Sequence, residues 1–410
     1  MTEFKQAVNR VPPIAIPCVK PRTQLTTRCP SLNLRPTNEN TTRAGSAMPE
    51  PMARNDNKKG RGRMAANEPL RTTLRTLAEL DSWTRLGREA ALEPELPIID
   101  PHHHVWHDNR GCYLIDELSA DVHGGHNVVA TVFVQTGPNQ YRADGPEEMK
   151  PVGEVEFVNG IAAMSASGRF GKAKLCAGIV GYADLTLGDR VQPVLEALMA
   201  AGNGRLRGIR HGMAWDVGNA KFAPHQVRHL ALDPAFRQGL ARLQALNLSF
   251  DAWLFHPQLP ELADLADAFP EVPMILNHVG GLLGIEPYEG KREEVFKVWS
   301  VHIRELARRP NITCKVGGLG MPRCGWDFHL RAKPPSSEAL AAAWKPYIEF
   351  CIEAFGPDRC MMESNYPVDK NTCGYDVLWN ALKRITAGCS AAEKAAMYHD
   401  TAAREYRLSI

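Results

Sequence analysis

Short apolar runs alternate with amphipathic stretches along most of the chain. Eight of these runs are predicted to form β-strands and cover residues 97–100, 128–135, 175–181, 206–210, 248–253, 273–277, 311–316 and 359–363. Helical spacing lies between several of them, as in the series Leu259, Leu262, Leu265 and Phe269, and a leading helix is predicted over 74–92. Eight strands that alternate with helices predict an α/β fold, a single (β/α)8 TIM barrel.

A doubly wound parallel sheet is the structural alternative. Its first strand is normally followed by a glycine-rich phosphate-binding turn, whereas His102, His103 and His104 stand in that place here. Three long loops follow the second, fourth and seventh predicted strands, and they cover 136–153, 211–233 and 317–337. Because such loops build the C-terminal face of a barrel, we expect a functional site there.

Composition divides the chain into a tail and a body. Residues 1–66 are rich in Pro, Arg, Asn and Thr and carry twelve Lys and Arg against four Asp and Glu, a net +8. The total is +2, so the remaining residues carry −6. We predict a disordered basic tail over 1–66, a helix within 67–94 that leads into the barrel, and the barrel itself over 95–410.

The acidic balance of the body gives no indication of a nucleic-acid partner. No apolar run approaches the roughly 18 residues of a membrane span, so no membrane association is expected. The ten cysteines form no Cys-x-x-Cys pair, and Cys314, Cys351 and Cys360 lie in apolar patterns typical of buried, reduced thiols. Reduced thiols favour a cytoplasmic location.

Polar residues stand where the predicted strands end. On a strand, side chains two apart share a face, so Asp100, His102 and His104 are predicted to lie together, with two imidazoles able to bind one metal ion. His103 has the opposite parity and should face the helices. His278 follows the sixth strand and would add a third imidazole to the same rim of a closed barrel.

Further candidates follow the fourth and fifth strands. Arg210 could bind a substrate carboxylate as a bidentate partner, with a structural ion pair as the alternative. His211 could contact the substrate or act as a general base. His256 competes for the same role, although the His-Pro sequence could simply end the strand.

Four motifs together resemble the amidohydrolase superfamily, in its amidohydrolase-related branch of lactonases and aromatic decarboxylases. They are Asp-x-His-x-His-x-Trp at 100–106, Arg-Gly-Ile-Arg-His at 207–211, Asn-His-Val-Gly at 277–280 and Glu-Ser-Asn-Tyr-Pro-Val-Asp at 363–369. The resemblance covers about residues 95–410 and implies a (β/α)8 barrel with a hydrolytic reaction. It implies metal ligands at His102, His104 and His278, with His256 as a candidate for a further ligand.

One position departs from this family pattern. Asn365 stands where the family's eighth strand ends in an aspartate that binds metal or takes a proton from water. An amide is a poor base, so Asn365 is expected to orient water or substrate instead. Glu363 lies two residues earlier and faces the same way. We hypothesise that it supplies the negative charge as a ligand or as a partner of a histidine, the alternative being an ion pair with Lys315.

These features predict a hydrolase of a small cyclic ester or amide, with a lactone preferred. A divalent ion, zinc as the first choice, would polarise the carbonyl and activate water, although the resemblance also allows metal-free action. Glu363, His211 or His256 would handle protons, and the partner would be a small molecule that bears a carboxylate. A homo-oligomer is compatible with the sequence. A non-oxidative decarboxylase and a barrel that binds a ligand without catalysis are the alternatives.

Overall fold

The computed structural model describes residues 75–108, 111–218 and 227–410. The predicted disordered tail over 1–66 and the first residue of the predicted leading helix, Leu74, lie outside the described residues. No helix in the described part of the chain has the length and hydropathy of a membrane span.

Eight parallel strands form one sheet in which each strand pairs with the next one along the chain. They are β1 (Ile98–His103), β4 (Val128–Val134), β5 (Lys174–Gly181), β6 (Leu206–Ile209), β7 (Ser249–Ala252), β8 (Met274–Leu276), β9 (Ile312–Val316) and β10 (Cys360–Met362). A small antiparallel hairpin of β2 (Trp106–Asp108) and β3 (Gly111–Tyr113) follows β1. Each of the eight predicted runs overlaps one barrel strand, and β1 extends three residues beyond its predicted end.

Backbone hydrogen bonds between the first and last barrel strands close the sheet. Asn365 N donates to the carbonyl of His102 at 2.9 Å, and His104 N donates to the carbonyl of Tyr366 at 2.7 Å. His103 and Tyr366 form a parallel bridge at the same point. The predicted (β/α)8 barrel is therefore confirmed, and its closure brings the residues after β10 next to the histidines of β1.

Helices separate the strands and cover the outside of the sheet. They are α1 (Leu77–Thr84), α2 (Ile115–Val122), α3 (Val152–Ala166), α4 (Gln192–Gly202), α5 (Pro234–Ala245), α6 (Leu259–Ala268), α7 (His278–Gly281), α8 (Arg292–Leu306), α9 (Ser337–Phe355), α10 (Tyr375–Ile385), α11 (Ala391–Ala395) and α12 (Thr401–Glu405). Ser390 and Glu393 form a reciprocal capping box at the start of α11. Gly356 ends α9 with a φ of 81°, a conformation that glycine adopts without strain.

The leading helix is shorter than the predicted range 74–92. It covers Leu77–Thr84 and continues only as a 3-10 turn to Gly87. Beyond that turn, side chains of α10 accept hydrogen bonds from backbone N–H groups that a longer helix would pair internally. Glu89 N donates to Asp376 and Leu92 N donates to Asn380. Tertiary contacts therefore override the helical pattern here.

Asp100 does not share a face with His102, and that prediction is wrong. Ile99 packs in an apolar cluster with Val132 and Val180, side chains of three different strands that meet inside the barrel. Asp100 points the other way and accepts hydrogen bonds from Ser364 and Tyr375. The register between β1 and β4 shifts between Asp100 and His103, at Pro101, which lacks a backbone N–H. This irregularity turns His102 inward.

His103 faces the helix layer, as its parity predicts. Its Nε2 lies 2.9 Å from Thr131 Oγ1, and its ring packs 6.2 Å from that of Phe133, which belongs to the core between sheet and helices. The three thiols predicted to be buried and reduced, those of Cys314, Cys351 and Cys360, are buried and free.

Candidate active site

Two histidines and a glutamate meet at the C-terminal rim of the barrel. His102 comes from β1, His278 follows β8 and Glu363 follows β10. His278 Nδ1 lies 2.8 Å from Glu363 Oε1, and His102 Nδ1 lies 3.0 Å from Glu363 Oε2. All three side chains are buried, and their candidate ligand atoms lie within 4.8 Å of one another. We call His102, His278 and Glu363 the ligand cluster.

Two glycines after β9 make room for the ligand cluster. A Cβ at Gly318 would lie 2.2 Å from His278 Nδ1, and a Cβ at Gly317 would lie 2.5 Å from Glu363 Cγ. Gly318 also has a φ of 64°, which disfavours any residue with a side chain. The Val-Gly-Gly sequence at 316–318 is the sequence signal for this close approach.

Burial sets the protonation of the ligand cluster. It lowers the pKa of His102 well below its usual value, and the nearby Lys315 adds to the effect. It also lowers the pKa of His278, with a further contribution from Arg210. Both imidazoles are therefore neutral, the form that binds metal. Burial raises the pKa of Glu363 to about 8, against the opposing effect of Lys315.

Lys315 is paired with Asp251 and not with Glu363. Its Nζ lies 2.7 Å from Asp251 Oδ1 and 3.3 Å from His102 Nδ1. Asp251 also accepts hydrogen bonds from Asn277 Nδ2 at 3.0 Å and from the Tyr406 hydroxyl at 3.0 Å. Asp251 thus neutralises the buried ammonium below the ligand cluster, and the alternative Lys315–Glu363 ion pair is not observed.

His104 lies beside the ligand cluster and outside it. Its ring centroid is 5.0 Å from that of His102, and its Nδ1 lies 2.7 Å from the carbonyl oxygen of Val134. A carbonyl can only accept, so this contact places the His104 proton on Nδ1 and leaves the Nε2 lone pair free.

Arg210 points toward the ligand cluster. Its Nη1 lies 3.3 Å from His102 Nε2, and its Nη2 donates to Gln135 Oε1 at 3.0 Å and to the Gln135 carbonyl. In the described part of the chain, no carboxylate lies within ion-pair distance of Arg210, so the alternative of a structural ion pair is not observed. Gln135 was not singled out from the sequence.

His211 and His256 lie apart from the ligand cluster. His211 accepts a hydrogen bond from Leu185 N at 3.2 Å, and its ring packs 5.2 Å from that of Tyr182. His256 accepts from Leu283 N at 3.4 Å. Burial lowers the pKa of each to about 4. Among the described contacts of these two histidines, none reaches the ligand cluster.

Asn365 is hydrogen-bonded to the side chain of Asp369, a residue without a predicted role. Its Nδ2 donates to Asp369 Oδ1 at 2.7 Å, and Asp369 Oδ2 accepts from Gly320 N at 2.8 Å. Burial raises the pKa of Asp369 to about 8, while these two donors oppose the shift. The spacing of four residues within the 363–369 motif was the available signal.

The sequence model of the Amidohydrolase family matches residues 99–408. The chain belongs to this family. It is accordingly an enzyme of the hydrolase class, as predicted. The uncharacterized protein y4mH from Sinorhizobium fredii is 34% identical to this amidohydrolase over 328 residues, which cover 77% of this chain and 99% of the relative.

Two Burkholderia multivorans proteins are also similar to this amidohydrolase. An L-fucono-1,5-lactonase is 30% identical over 237 residues, which cover 57% of this chain and 72% of the lactonase. The crystal structure of an amidohydrolase with bound zinc aligns with a TM-score of 0.58 at 25% identity, over 76% of this chain and 99% of that one.

Members of this family usually depend on a divalent metal, and the ligand cluster fits one. Two neutral imidazole nitrogens and a carboxylate oxygen are ligands that zinc accepts. Glu363 Oε2 is buried and has no hydrogen-bond partner among the described residues, although His102 Nδ1 is close. A buried carboxylate oxygen without a donor is unfavourable, and a cation between these atoms would satisfy it.

Proposed function

We propose that this amidohydrolase hydrolyses a small lactone at the ligand cluster. The observation that carries the proposal is the convergence of His102, His278 and Glu363 at the C-terminal rim, the face on which barrels of this kind carry their sites. Two relatives named L-fucono-1,5-lactonase, 30% and 26% identical, support a lactone as the substrate class.

The chain's own residues divide the work of such a reaction. His102, His278 and Glu363 would hold a zinc ion, with His104 Nε2 as a further proposed ligand. When bound, the ion would polarise the lactone carbonyl and lower the pKa of water. Asn365 positions the attacking water or the substrate.

Arg210 is the proposed binding residue for a substrate carboxylate. Gln135 fixes one edge of its buried guanidinium, and the planar fork can then donate to an anionic oxygen with little loss of side-chain freedom. We place proton transfer at Glu363 and not at His211 or His256, because only Glu363 contacts the imidazoles of the ligand cluster.

The test is a substrate panel with three proteins. Purified wild type, Glu363→Gln and Asp121→Asn are assayed on five- and six-membered sugar-acid lactones, a cyclic amide, an acyclic ester and an aromatic carboxylic acid. Asp121 is the control, a partly buried carboxylate that pairs with Lys370 and Tyr113 away from the ligand cluster.

We expect wild type and Asp121→Asn to open a lactone, and Glu363→Gln to be slower by about 100-fold or more, the typical loss when one charged catalytic group is removed. Release of CO2 from the aromatic acid without lactone opening would instead establish the decarboxylase alternative. Binding without turnover of any substrate would establish a ligand-binding barrel.

A further inference from the structure

A buried amide and a buried carboxylate form a pair just beyond the end of β10. Asn365 is 1% exposed and Asp369 is fully buried, and the Asn365 Nδ2 donates to Asp369 Oδ1 at 2.7 Å. Neither residue belongs to the ligand cluster. The family pattern has a carboxylate at position 365, and here the amide at that position directly contacts the carboxyl group of Asp369.

The backbone of Asn365 is fixed on both sides. Its N–H donates to the carbonyl of His102 at 2.9 Å, and its own carbonyl accepts from Asp369 N at 3.1 Å. Its main chain is thereby attached directly to a residue of the ligand cluster. With the backbone held, the main freedom left to the side chain is the exchange of its amide nitrogen and oxygen by rotation.

Asp369 determines the orientation of the Asn365 side-chain amide. The Asn365 nitrogen donates to Asp369 Oδ1, so the Asn365 nitrogen faces Asp369 and the Asn365 oxygen faces away from it. Asp369 is itself held, because its second oxygen accepts from Gly320 N at 2.8 Å. In the described residues, no donor hydrogen-bonds the Asn365 oxygen, which leaves that oxygen for a ligand.

We propose that Asp369 is a positioning residue that fixes Asn365 as a hydrogen-bond acceptor for the attacking water; the inference rests on the proposed hydrolase function. The hydrogen bond from the amide nitrogen to Asp369 polarises the amide and strengthens its oxygen as an acceptor, as in other chains of hydrogen bonds. The pair supplies an oriented, electron-rich oxygen at position 365 without placing a second free carboxylate beside Glu363.

The first test is Asp369→Asn, with Thr372→Val as the matched control. In Asp369→Asn, the new amide can donate as well as accept, so the Asn365 amide can rotate. We expect kcat to fall about 10- to 100-fold with little change in KM or in bound zinc, as for the loss of one oriented polar group. The Thr372 hydroxyl donates to the carbonyl of Gly320 at 2.6 Å, and only its backbone N–H, which Val keeps, donates to the Asp369 carbonyl at 2.9 Å. The kcat of Thr372→Val should therefore stay within about threefold.

An exchange of the two side chains gives the second test. The double variant Asn365→Asp with Asp369→Asn keeps one carboxyl group, one hydrogen bond and an acceptor at position 365. We expect its kcat to exceed that of Asp369→Asn by about tenfold. Asn365→Asp alone brings two buried carboxylates together and should have the lowest kcat of the set. Equal losses in Asp369→Asn and Thr372→Val, or no recovery in the double variant, would overturn the inference.

A third measurement does not depend on turnover. In protein labelled with 15N-asparagine, the Asn365 side-chain amide protons, identified by their loss in Asn365→Asp, should exchange slowly in wild type and rapidly in Asp369→Ala. Slow exchange in a wild type that opens no lactone would refute the proposed function and leave the orientation intact. Rapid exchange in wild type would refute the orientation, whatever the activity.

Discussion

Gly318 controls the space around His278, and its substitution is the sharpest test at the scale of one residue. In Gly318→Ala, the added Cβ meets His278 Nδ1 at 2.2 Å and the backbone is held at a φ of 64°. The imidazole or the loop must shift, so we expect a loss of about 1–3 kcal/mol in the free energy of unfolding. Urea denaturation measures this loss, and lactone hydrolysis should fall with it.

Gly168→Ala separates strain from contact. Gly168 has a φ of 75°, and a Cβ there meets nothing within 4 Å. Its substitution imposes the backbone strain alone and should leave the rate of lactone hydrolysis unchanged. If Gly318→Ala and Gly168→Ala lost activity equally, close packing against His278 would not explain why the enzyme needs glycine at position 318.

The residues of the ligand cluster could be predicted from the sequence, whereas their hydrogen-bond and ion-pair partners could not. His102, His278 and Glu363 stand directly after apolar runs, and strand ends of a barrel meet at one rim. The roles of Asp251 and Asp369 could not be predicted, because they depend on which hydrogen-bond donors lie close to them in the folded chain. From the sequence, Lys315 could pair with Glu363 or with Asp251, and only the contacts across the barrel favour Asp251.

At the scale of elements, β1 shows where strand periodicity fails. A period of two correctly gives His103 an outward side chain, yet it also predicts that Asp100 shares the face of His102. The register shift between Asp100 and His103 breaks that relation. A proline inside a strand is a signal for such an irregularity, since it cannot donate to the ladder, but the sequence does not give the direction of the shift.

The segment after α12 closes the opposite end of the barrel, and Tyr406 is its main contact. The ring is buried with Ile99, Val132 and Met361, and the hydroxyl donates to Asp251. We expect Tyr406→Ala to lower the free energy of unfolding by about 3–5 kcal/mol through the cavity it leaves. Tyr406→Phe keeps the packing and should lose only about 1 kcal/mol with the hydrogen bond.

Urea denaturation of Tyr406→Ala and Tyr406→Phe distinguishes the contribution of the packed ring from that of the hydroxyl. Equal midpoints for the two variants would mean that the hydroxyl, and not the packed ring, stabilises this end of the barrel.

The whole barrel was predictable because its strand pattern is local. Every predicted run overlaps one observed strand, and the sheet order follows the chain. Closure depends on hydrogen bonds between β1 and the residues after β10, which no local pattern encodes. The predicted length of the leading helix is wrong because contacts distant in sequence end it. Side chains of α10 accept hydrogen bonds from the backbone N–H groups of Glu89 and Leu92.

The stability of the whole molecule should depend on pH through its buried histidines. His126 Nε2 donates to the carbonyl of Asp376 at 3.1 Å, its Nδ1 lies 3.0 Å from Lys383 Nζ, and burial lowers its pKa to about 4. The unfolded chain, with a histidine pKa near 6.5, binds a proton that the folded chain excludes, so the stability contributed by neutral His126 is lost as pH falls from about 6.5 to 4.

His126→Gln tests this dependence against wild type. The difference in the free energy of unfolding between the two proteins should change by up to about 1.4 kcal/mol per pH unit within that window, in the direction that favours the variant at low pH. The exposed residue His229 gives the control variant His229→Gln. A difference between His126→Gln and wild type that stays constant from pH 7 to 4.5 would contradict the assignment.

Zinc added back to chelator-stripped protein gives the most direct test of the ligand cluster. The measurement is kcat/KM for the lactone at increasing zinc, for wild type and Glu363→Gln. We predict that wild-type activity rises to a plateau near one equivalent of zinc, since the ligand cluster provides one site, and that Glu363→Gln stays inactive at the same zinc concentrations. Full activity of the stripped wild type, or equal recovery of Glu363→Gln, would contradict metal-dependent hydrolysis at His102, His278 and Glu363.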